Sequence, residues 1–142
     1  MITAMLLVMA LLVLFQPDDK RTLIATIYVV CTMGHDIATR GLEGEAYYFS
    51  AMITEMAVIY LLHKIYPIVS TSISLIIISF ISIIAHIYGL RCYRLGMQGF
   101  EYEVLGYLLY SGVIITLFWN SGIHARMRKL YSRDNSRWLH HN

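Results

Sequence analysis

Ile68–Leu90, with the sequence IVSTSISLIIISFISIIAHIYGL, is a stretch of 23 residues that contains no Asp, Glu, Lys or Arg. An α-helix rises about 1.5 Å per residue and the hydrocarbon core of a bilayer is about 30 Å thick, so this stretch is long enough to cross it. Because a soluble helix rarely stays uncharged over this length, the stretch predicts a transmembrane helix.

Further uncharged blocks lie on either side of this stretch, at Met1–Phe15 and Val104–Ile123. The whole chain is 58% hydrophobic and 14% charged, with a mean hydropathy of +0.60, whereas about a quarter of a soluble domain is usually charged. This balance excludes a soluble globular protein. It predicts an all-α, multi-pass membrane helical bundle.

Polar, glycine-containing or proline-containing segments divide the chain into helices. Gln16–Arg21 is a polar turn with a proline, Arg40–Glu45 is a glycine-rich charged loop, and Pro67 ends the third predicted helix. We therefore predict five transmembrane helices, over residues 2–16, 22–39, 46–66, 68–90 and 103–124.

The first predicted helix is the shortest. Its fifteen residues reach about 22 Å, so it crosses the bilayer only if the membrane thins locally or partner helices cover its ends. Apolar residues surround its whole circumference, which favours a spanning helix over one that lies on the surface. If it does not span, four transmembrane helices remain.

Basic residues predict the orientation. With the N-terminus outside and the C-terminus in the cytoplasm, eight of the eleven Lys and Arg residues face the cytoplasm. We therefore predict an N-out, C-in protein of the inner (cytoplasmic) membrane. Residues 1–124 form the bundle and residues 125–142 a basic cytoplasmic tail that contacts anionic lipid rather than nucleic acid, through Arg126, Arg128, Lys129, Arg133 and Arg137.

Glu55 lies near the middle of the third predicted helix, among apolar residues. A carboxylate at this depth is costly unless it is protonated or has a partner on a neighbouring helix. One interpretation is a proton, cation or pore-lining site. The alternative is a buried acid that holds helices together by hydrogen bonding.

His35 and His86 each lie about five residues before the outer end of their predicted helix, and hence at similar depth. Two histidines at one depth are the arrangement that two axial ligands of a b-type haem require. The alternative is that both are ordinary hydrogen-bonded histidines, and no cofactor is then needed.

A polar stripe follows one side of the fourth predicted helix. Its members include Ser79 and Ser82, and a similar line on the fifth helix includes Asn120. Small hydroxylic residues let another helix approach closely, so a packing seam is one interpretation. The other is the wall of a pore.

The outer-loop charges are predicted to form ion pairs, with Asp36 and Arg40 one helical turn apart.

No phosphate loop, nucleophile elbow or paired-cysteine metal site occurs in the sequence, which favours a non-enzymatic protein. In size, short loops, predicted topology and basic tail, the chain is similar in general architecture to the phage holins. This resemblance implies a pore-forming homo-oligomer. A related expectation is a membrane subunit of a larger complex.

Two further functions stay open. His86-Ile87-Tyr88-Gly89-Leu90-Arg91 is similar to the histidine-glycine-arginine stretch of succinate dehydrogenase anchors, and this resemblance implies a redox subunit that binds haem or quinone. The last alternative is a small proton-coupled or cation-coupled transporter in which Glu55 is the coupling carboxylate.

Overall fold

The computed structural model describes residues 2–66, 69–97 and 100–121, which contain five α-helices and no strand. The all-helical prediction is confirmed over these ranges. The helices are α1 (Ile2–Val13), α2 (Asp19–Ala38), α3 (Glu45–Ile65), α4 (Ser70–Arg94) and α5 (Phe100–Asn120). The predicted lipid-contacting tail lies outside the described residues, and so do its five basic residues.

Capping interactions move two helix boundaries away from the predicted ones. The Asp18 carboxylate accepts a hydrogen bond of 2.8 Å from the Arg21 backbone N–H, so α2 begins before the apolar stretch does. Later in the chain, α4 continues past Leu90 to Arg94, and Gly96, whose φ is +65°, then allows the backbone to turn. The backbone N–H of Met97 then donates to the Cys92 carbonyl at 3.0 Å.

The helices pack in the order of the chain, and α1 closes the ring by packing between α2 and α5. Across the ring, α2 also contacts α4. One end of the bundle carries the α1–α2 and α3–α4 connections and is called the turn end below. The other end carries the α2–α3 and α4–α5 connections and is called the loop end. The turn-end half contains the apolar core, whose fully buried members include Met9, Ile24, Leu62, Leu75 and Leu117.

Two helices of the described chain are long and apolar enough to cross a bilayer, Ser70–Arg94 and Glu101–Trp119. The apolar helix Ala4–Val13 is shorter, and polar residues lower the hydropathy of α2 and α3. The structure is therefore consistent with membrane association through two helices, while the five-span prediction stays a prediction. All five helices nevertheless place large apolar side chains on the outer surface, for example Leu7, Val30, Ile53, Ile84 and Leu108.

Candidate functional site

A cavity of about 430 Å³ lies at the loop end, enclosed by residues of α2, α3, α4 and α5. The lengths of the helices explain its position. The 12 residues of α1 extend about 18 Å, whereas the 20 residues of α2 extend about 30 Å. Since the last residue of α1 lies at the turn end, beside the start of α2, its first residue, Ile2, falls short of the loop end. No described residue of α1 lines the cavity.

The lining of the cavity is aromatic and acidic. Three carboxylate side chains and two histidines face it, together with six tyrosines. Among the described residues that line it there is no lysine or arginine. The carboxylates are Asp36, Glu55 and Glu103, and the tyrosines are Tyr28, Tyr47, Tyr48, Tyr102, Tyr107 and Tyr110.

Glu55 is the deepest of these carboxylates. It lies ten residues after the first residue of α3, which places it about 15 Å along the helix from the loop end. Its side chain lies beside the Ser79 and Ser82 hydroxyls of α4 and near Tyr28 of α2. None of the ion pairs formed within the described ranges includes Glu55.

The structure therefore brings Glu55, Ser79 and Ser82 together, three residues that the sequence singled out separately. Ser79 is fully buried, and its Oγ makes no hydrogen bond of good geometry to any described residue. Asn120 is the last residue of α5 and lies at the turn end, away from the other three. Its side chain lies outside what the structure describes.

His86 connects Ser82 to Tyr102 across the cavity wall. Its Nε2 is 3.3 Å from the Ser82 Oγ, and its Nδ1 is 2.8 Å from the Tyr102 hydroxyl. Both ring nitrogens are therefore engaged. The Ser82 hydroxyl also lies near Glu55, so polar side chains follow one another from Glu55 to the loop end.

His35 lines the same cavity from α2, with its Nε2 3.2 Å from the Ser50 Oγ. The Ser50 hydroxyl already donates its hydrogen to the Tyr47 carbonyl at 2.8 Å. The His35 Nε2 must then carry the hydrogen that it donates to Ser50, because a hydroxyl has one hydrogen to give. Haem ligation by His35 and His86 stays a prediction, and ligation through His86 would require one of its two hydrogen bonds to break.

Tyrosine rings pack against each other at the loop end, in an aromatic cluster that comprises Tyr47, Tyr48, Tyr93 and Tyr102. The ring centroids of Tyr48 and Tyr102 are 5.2 Å apart in an edge-to-face arrangement, and those of Tyr47 and Tyr48 are 5.5 Å apart. Gly89 of α4 permits this packing, because a Cβ there would lie 2.6 Å from atoms of both Tyr48 and Tyr102.

Tyrosines near helix ends are typical of the membrane interface, so the sequence does not distinguish these rings as site residues. A signal for α5 was present in the spacing. Tyr102, Gly106 and Tyr110 recur every four residues and hence lie on one face of the helix, and all three line the cavity.

Two ion pairs lie at the loop end, and one of them joins separate helices. The Arg94 guanidinium binds the Glu45 carboxylate through two hydrogen bonds of 2.8 and 2.9 Å, which connects the end of α4 to the start of α3. This hydrogen-bonded guanidinium holds the pKa of Glu45 below its usual value. The second pair is within one turn, as the sequence suggested: an Arg40 guanidinium nitrogen lies 3.7 Å from an Asp36 carboxylate oxygen.

The serine stripe of α4 faces the interior of this single chain. Ser72 and Ser79 are fully buried and Ser82 is nearly so, and the Ser72 hydroxyl donates to the Leu62 carbonyl of α3 at 3.3 Å. These contacts are those of a packing seam between α4 and its neighbours. A pore wall formed between copies of the chain stays a prediction.

No protein-family model, curated protein or solved structure matches this chain. Among the described residues, no group of three or more His, Cys, Asp or Glu side chains is placed to hold a metal ion. The fold and the cavity thus define an all-α protein with two helices able to cross a membrane and an acidic, tyrosine-rich cavity.

Proposed function

We propose that this protein is a small multi-pass membrane transporter, in which the loop-end cavity admits a cation and Glu55 holds it. All five helices cross the bilayer in this proposal, with the loop end outside and the C-terminus in the cytoplasm. The apolar side chains on the outer surface of every helix support it, because lipid tails would cover them. The distribution of Lys and Arg supports the orientation.

The single observation that carries the proposal is a half-buried carboxylate deep in a cavity whose described lining contains no lysine or arginine. An ionised carboxylate away from water is costly unless a positive charge or several hydrogen bonds compensate it. Glu55 has hydroxyl neighbours on α4 but is in no ion pair of the described chain. A cation that enters the cavity, or a proton, supplies the missing charge.

The polar groups from Glu55 through Ser82 and His86 to Tyr102 support a proton route to the same carboxylate. An imidazole can accept a proton on one ring nitrogen while it releases another proton from the other, and both nitrogens of His86 contact a hydroxyl group. Glu55 then exchanges a proton with the outside when no other cation occupies it. This exchange is the coupling step of the proposed transport.

Purified protein in liposomes tests the proposal. With a pH gradient imposed, the wild type should dissipate the gradient faster than protein-free liposomes, and Glu55→Gln should reduce that rate at least tenfold. Glu43→Gln is the matched control, because it removes the same charge from an exposed loop residue. A folded Glu55→Gln protein with the wild-type rate would refute transport through Glu55.

The other functions that the sequence suggested stay predictions. They are the holin-like homo-oligomeric pore, the membrane subunit of a larger complex, and the redox anchor. The burial of Ser72 and Ser79 within one copy gives the pore no particular support. A Soret absorption band that disappears in His35→Ala and His86→Ala would favour the redox anchor over the transporter.

A further inference from the structure

We propose that the cation bound in the cavity is an organic ammonium ion, held between the Glu55 carboxylate and tyrosine rings. This inference rests on the proposed function and names its class of solute. Three properties of the cavity carry it: its size, the sign of its charge, and the aromatic character of its wall.

The size of the cavity distinguishes a molecule from a bare ion. Binding pockets for small molecules usually measure about 300–1,000 Å³, and this cavity measures about 430 Å³. A dehydrated metal ion needs oxygen ligands at about 2.0–2.6 Å on several sides, which a cavity of this size does not provide around a single carboxylate. A solute that fills the space and contacts several walls at once is therefore molecular.

The charges around the cavity favour a positive solute. Asp36 has a cationic neighbour, Arg40, at 3.7 Å, whereas Glu55 and Glu103 are in none of the ion pairs within the described ranges. Because the described lining also lacks lysine and arginine, nothing there would neutralise the carboxylate or phosphate of an anionic solute. Like charges in a site of low dielectric constant repel strongly, so an anion is disfavoured.

The tyrosines favour an organic cation. A cation within about 6 Å of the centre of an aromatic ring is attracted by about 0.5–2 kcal/mol, and several rings around one site are the usual means of binding ammonium groups. Six tyrosines contribute to this wall. Edge-to-face packing of Tyr48 on Tyr47 and Tyr102 holds part of the wall in place.

The position of Glu55 completes the site. The carboxylate lies at depth, about 15 Å from the start of α3, and the aromatic cluster lies at the loop end above it. An ammonium ion that enters from the loop end would pass the tyrosine rings before it reaches Glu55. The hydroxyls of Thr32 and Thr54, which also line the cavity, can accept hydrogen bonds from an ammonium that carries N–H groups.

Isothermal titration calorimetry on the 142-residue chain in lipid nanodiscs tests this inference. The probe is choline, and its uncharged analogue 3,3-dimethylbutan-1-ol, of the same shape, tests the need for charge. We expect saturable binding of choline and at least tenfold weaker binding of the analogue. Glu55→Gln should weaken choline binding at least tenfold, and Glu43→Gln should leave it unchanged.

A second pair of variants tests the aromatic wall without changing charge. Tyr107 lines the cavity, so Tyr107→Phe should bind choline like the wild type, whereas Tyr107→Leu should bind it at least threefold more weakly. Tyr60→Leu, on the exposed side of α3, is the matched control and should have no effect. This pair keeps the inference testable if Glu55→Gln does not fold.

The possible results separate this inference from the proposed function. Glu55-dependent dissipation of the pH gradient without choline binding would overturn the organic-cation inference and leave transport standing. Equal binding of choline and its uncharged analogue would also overturn the inference, because the cavity would then select shape alone. Absence of both choline binding and gradient dissipation would overturn both proposals.

Discussion

Gly89 lies against two rings of the aromatic cluster, and its lack of a side chain permits that contact. A methyl group there would lie 2.6 Å from the Tyr48 and Tyr102 rings, which pack on each other and have little room to move. Gly89→Ala should therefore lower the free energy of unfolding by about 1–3 kcal/mol, the usual cost of overpacking. Denaturant titration followed by circular dichroism in detergent micelles measures this difference.

Gly34→Ala is the matched control for this prediction. Nothing lies within 4 Å of a Cβ placed at Gly34, and alanine favours a helix over glycine by about 1 kcal/mol. Its stability should therefore equal or exceed that of the wild type. Equal stabilities for Gly89→Ala and the wild type would contradict the close packing of the two rings on α4.

Removal of the Tyr102 hydroxyl oxygen tests its hydrogen bond to His86. Tyr102→Phe keeps the ring that packs on Gly89 and removes the oxygen that lies 2.8 Å from the His86 Nδ1. We expect a loss of about 1 kcal/mol in unfolding free energy, a typical net value for one hydrogen bond. The imidazole resonances of His86 should also shift in NMR spectra. Unchanged stability together with unchanged resonances would show that this hydrogen bond does not form.

The chemistry of single residues was predictable from the sequence to a considerable extent, but their proximity was not. Glu55, Ser82 and His86 are polar residues in apolar surroundings, so each was recognisable as unusual. That Glu55 of α3 faces the α4 serines depends on the rotation of each helix about its axis. The tyrosines were missed because a ring near a helix end satisfies the interface pattern equally well.

The ends of α3 and α4 are joined by the Glu45–Arg94 pair, and this pair should make stability depend on pH. Arg94 lowers the pKa of Glu45 in the folded protein, below its ordinary value of 4.5. The stabilisation is therefore complete above that ordinary value, and it is lost as the pH falls through the lowered value. Thermal melts should show wild type more stable than Glu45→Gln near neutral pH, with a difference that closes in acid.

Glu43→Gln controls for loss of one negative charge from the same loop, and its melting temperature should follow the wild type at every pH. The Glu45→Gln difference should also shrink in high salt, because both partners are accessible to solvent ions. A difference that persists unchanged in acid would mean that the Arg94 contact does not account for the lower stability of Glu45→Gln.

At the scale of helices, the apolar pattern predicted the number and order of the elements better than their ends. The predicted fourth helix stopped at Leu90 because Arg91 is the first charge, whereas α4 continues to Arg94. Arginines in a last turn interact favourably with the helix dipole, so charge alone does not end a helix. Capping by Asp18 likewise started α2 earlier than hydropathy indicated.

For the whole molecule, the five-span topology predicts which loops reagents can reach. In a chain whose Cys31 and Cys92 have been replaced by alanine, Ile2→Cys at the outer end of α1 and Glu43→Cys in the α2–α3 loop should react with a membrane-impermeant maleimide on intact cells. Lys20→Cys should react only after the membrane has been permeabilised. The reason is that α1 and α2 each carry the chain across the bilayer once.

Two results of the labelling experiment would contradict parts of this topology. Protection of Ile2→Cys in intact cells, with Glu43→Cys still reactive, would mean that α1 does not cross and that four spans remain. Protection of Glu43→Cys in intact cells would mean that the whole bundle has the opposite orientation. The cavity would then open to the cytoplasm.

The cavity itself could not be predicted from the sequence, because its position depends on which helices pack side by side and on how far each one extends. The pattern of the chain indicated that the first apolar block is short. It did not indicate that α1 packs between α2 and α5, and hence did not indicate which helices enclose the space at the loop end.

The clustering of tyrosines around the cavity gives this protein an intrinsic spectroscopic probe. Six of its eleven tyrosines line one cavity, so the near-ultraviolet circular dichroism of tyrosine should report mainly on that place. Trp119, 68% exposed near the end of α5, lies at the opposite end and faces outward. In a Trp138→Phe variant, whose remaining tryptophan is Trp119, tyrosine ellipticity and tryptophan emission should therefore respond separately, the first to a solute and the second to the surrounding lipid.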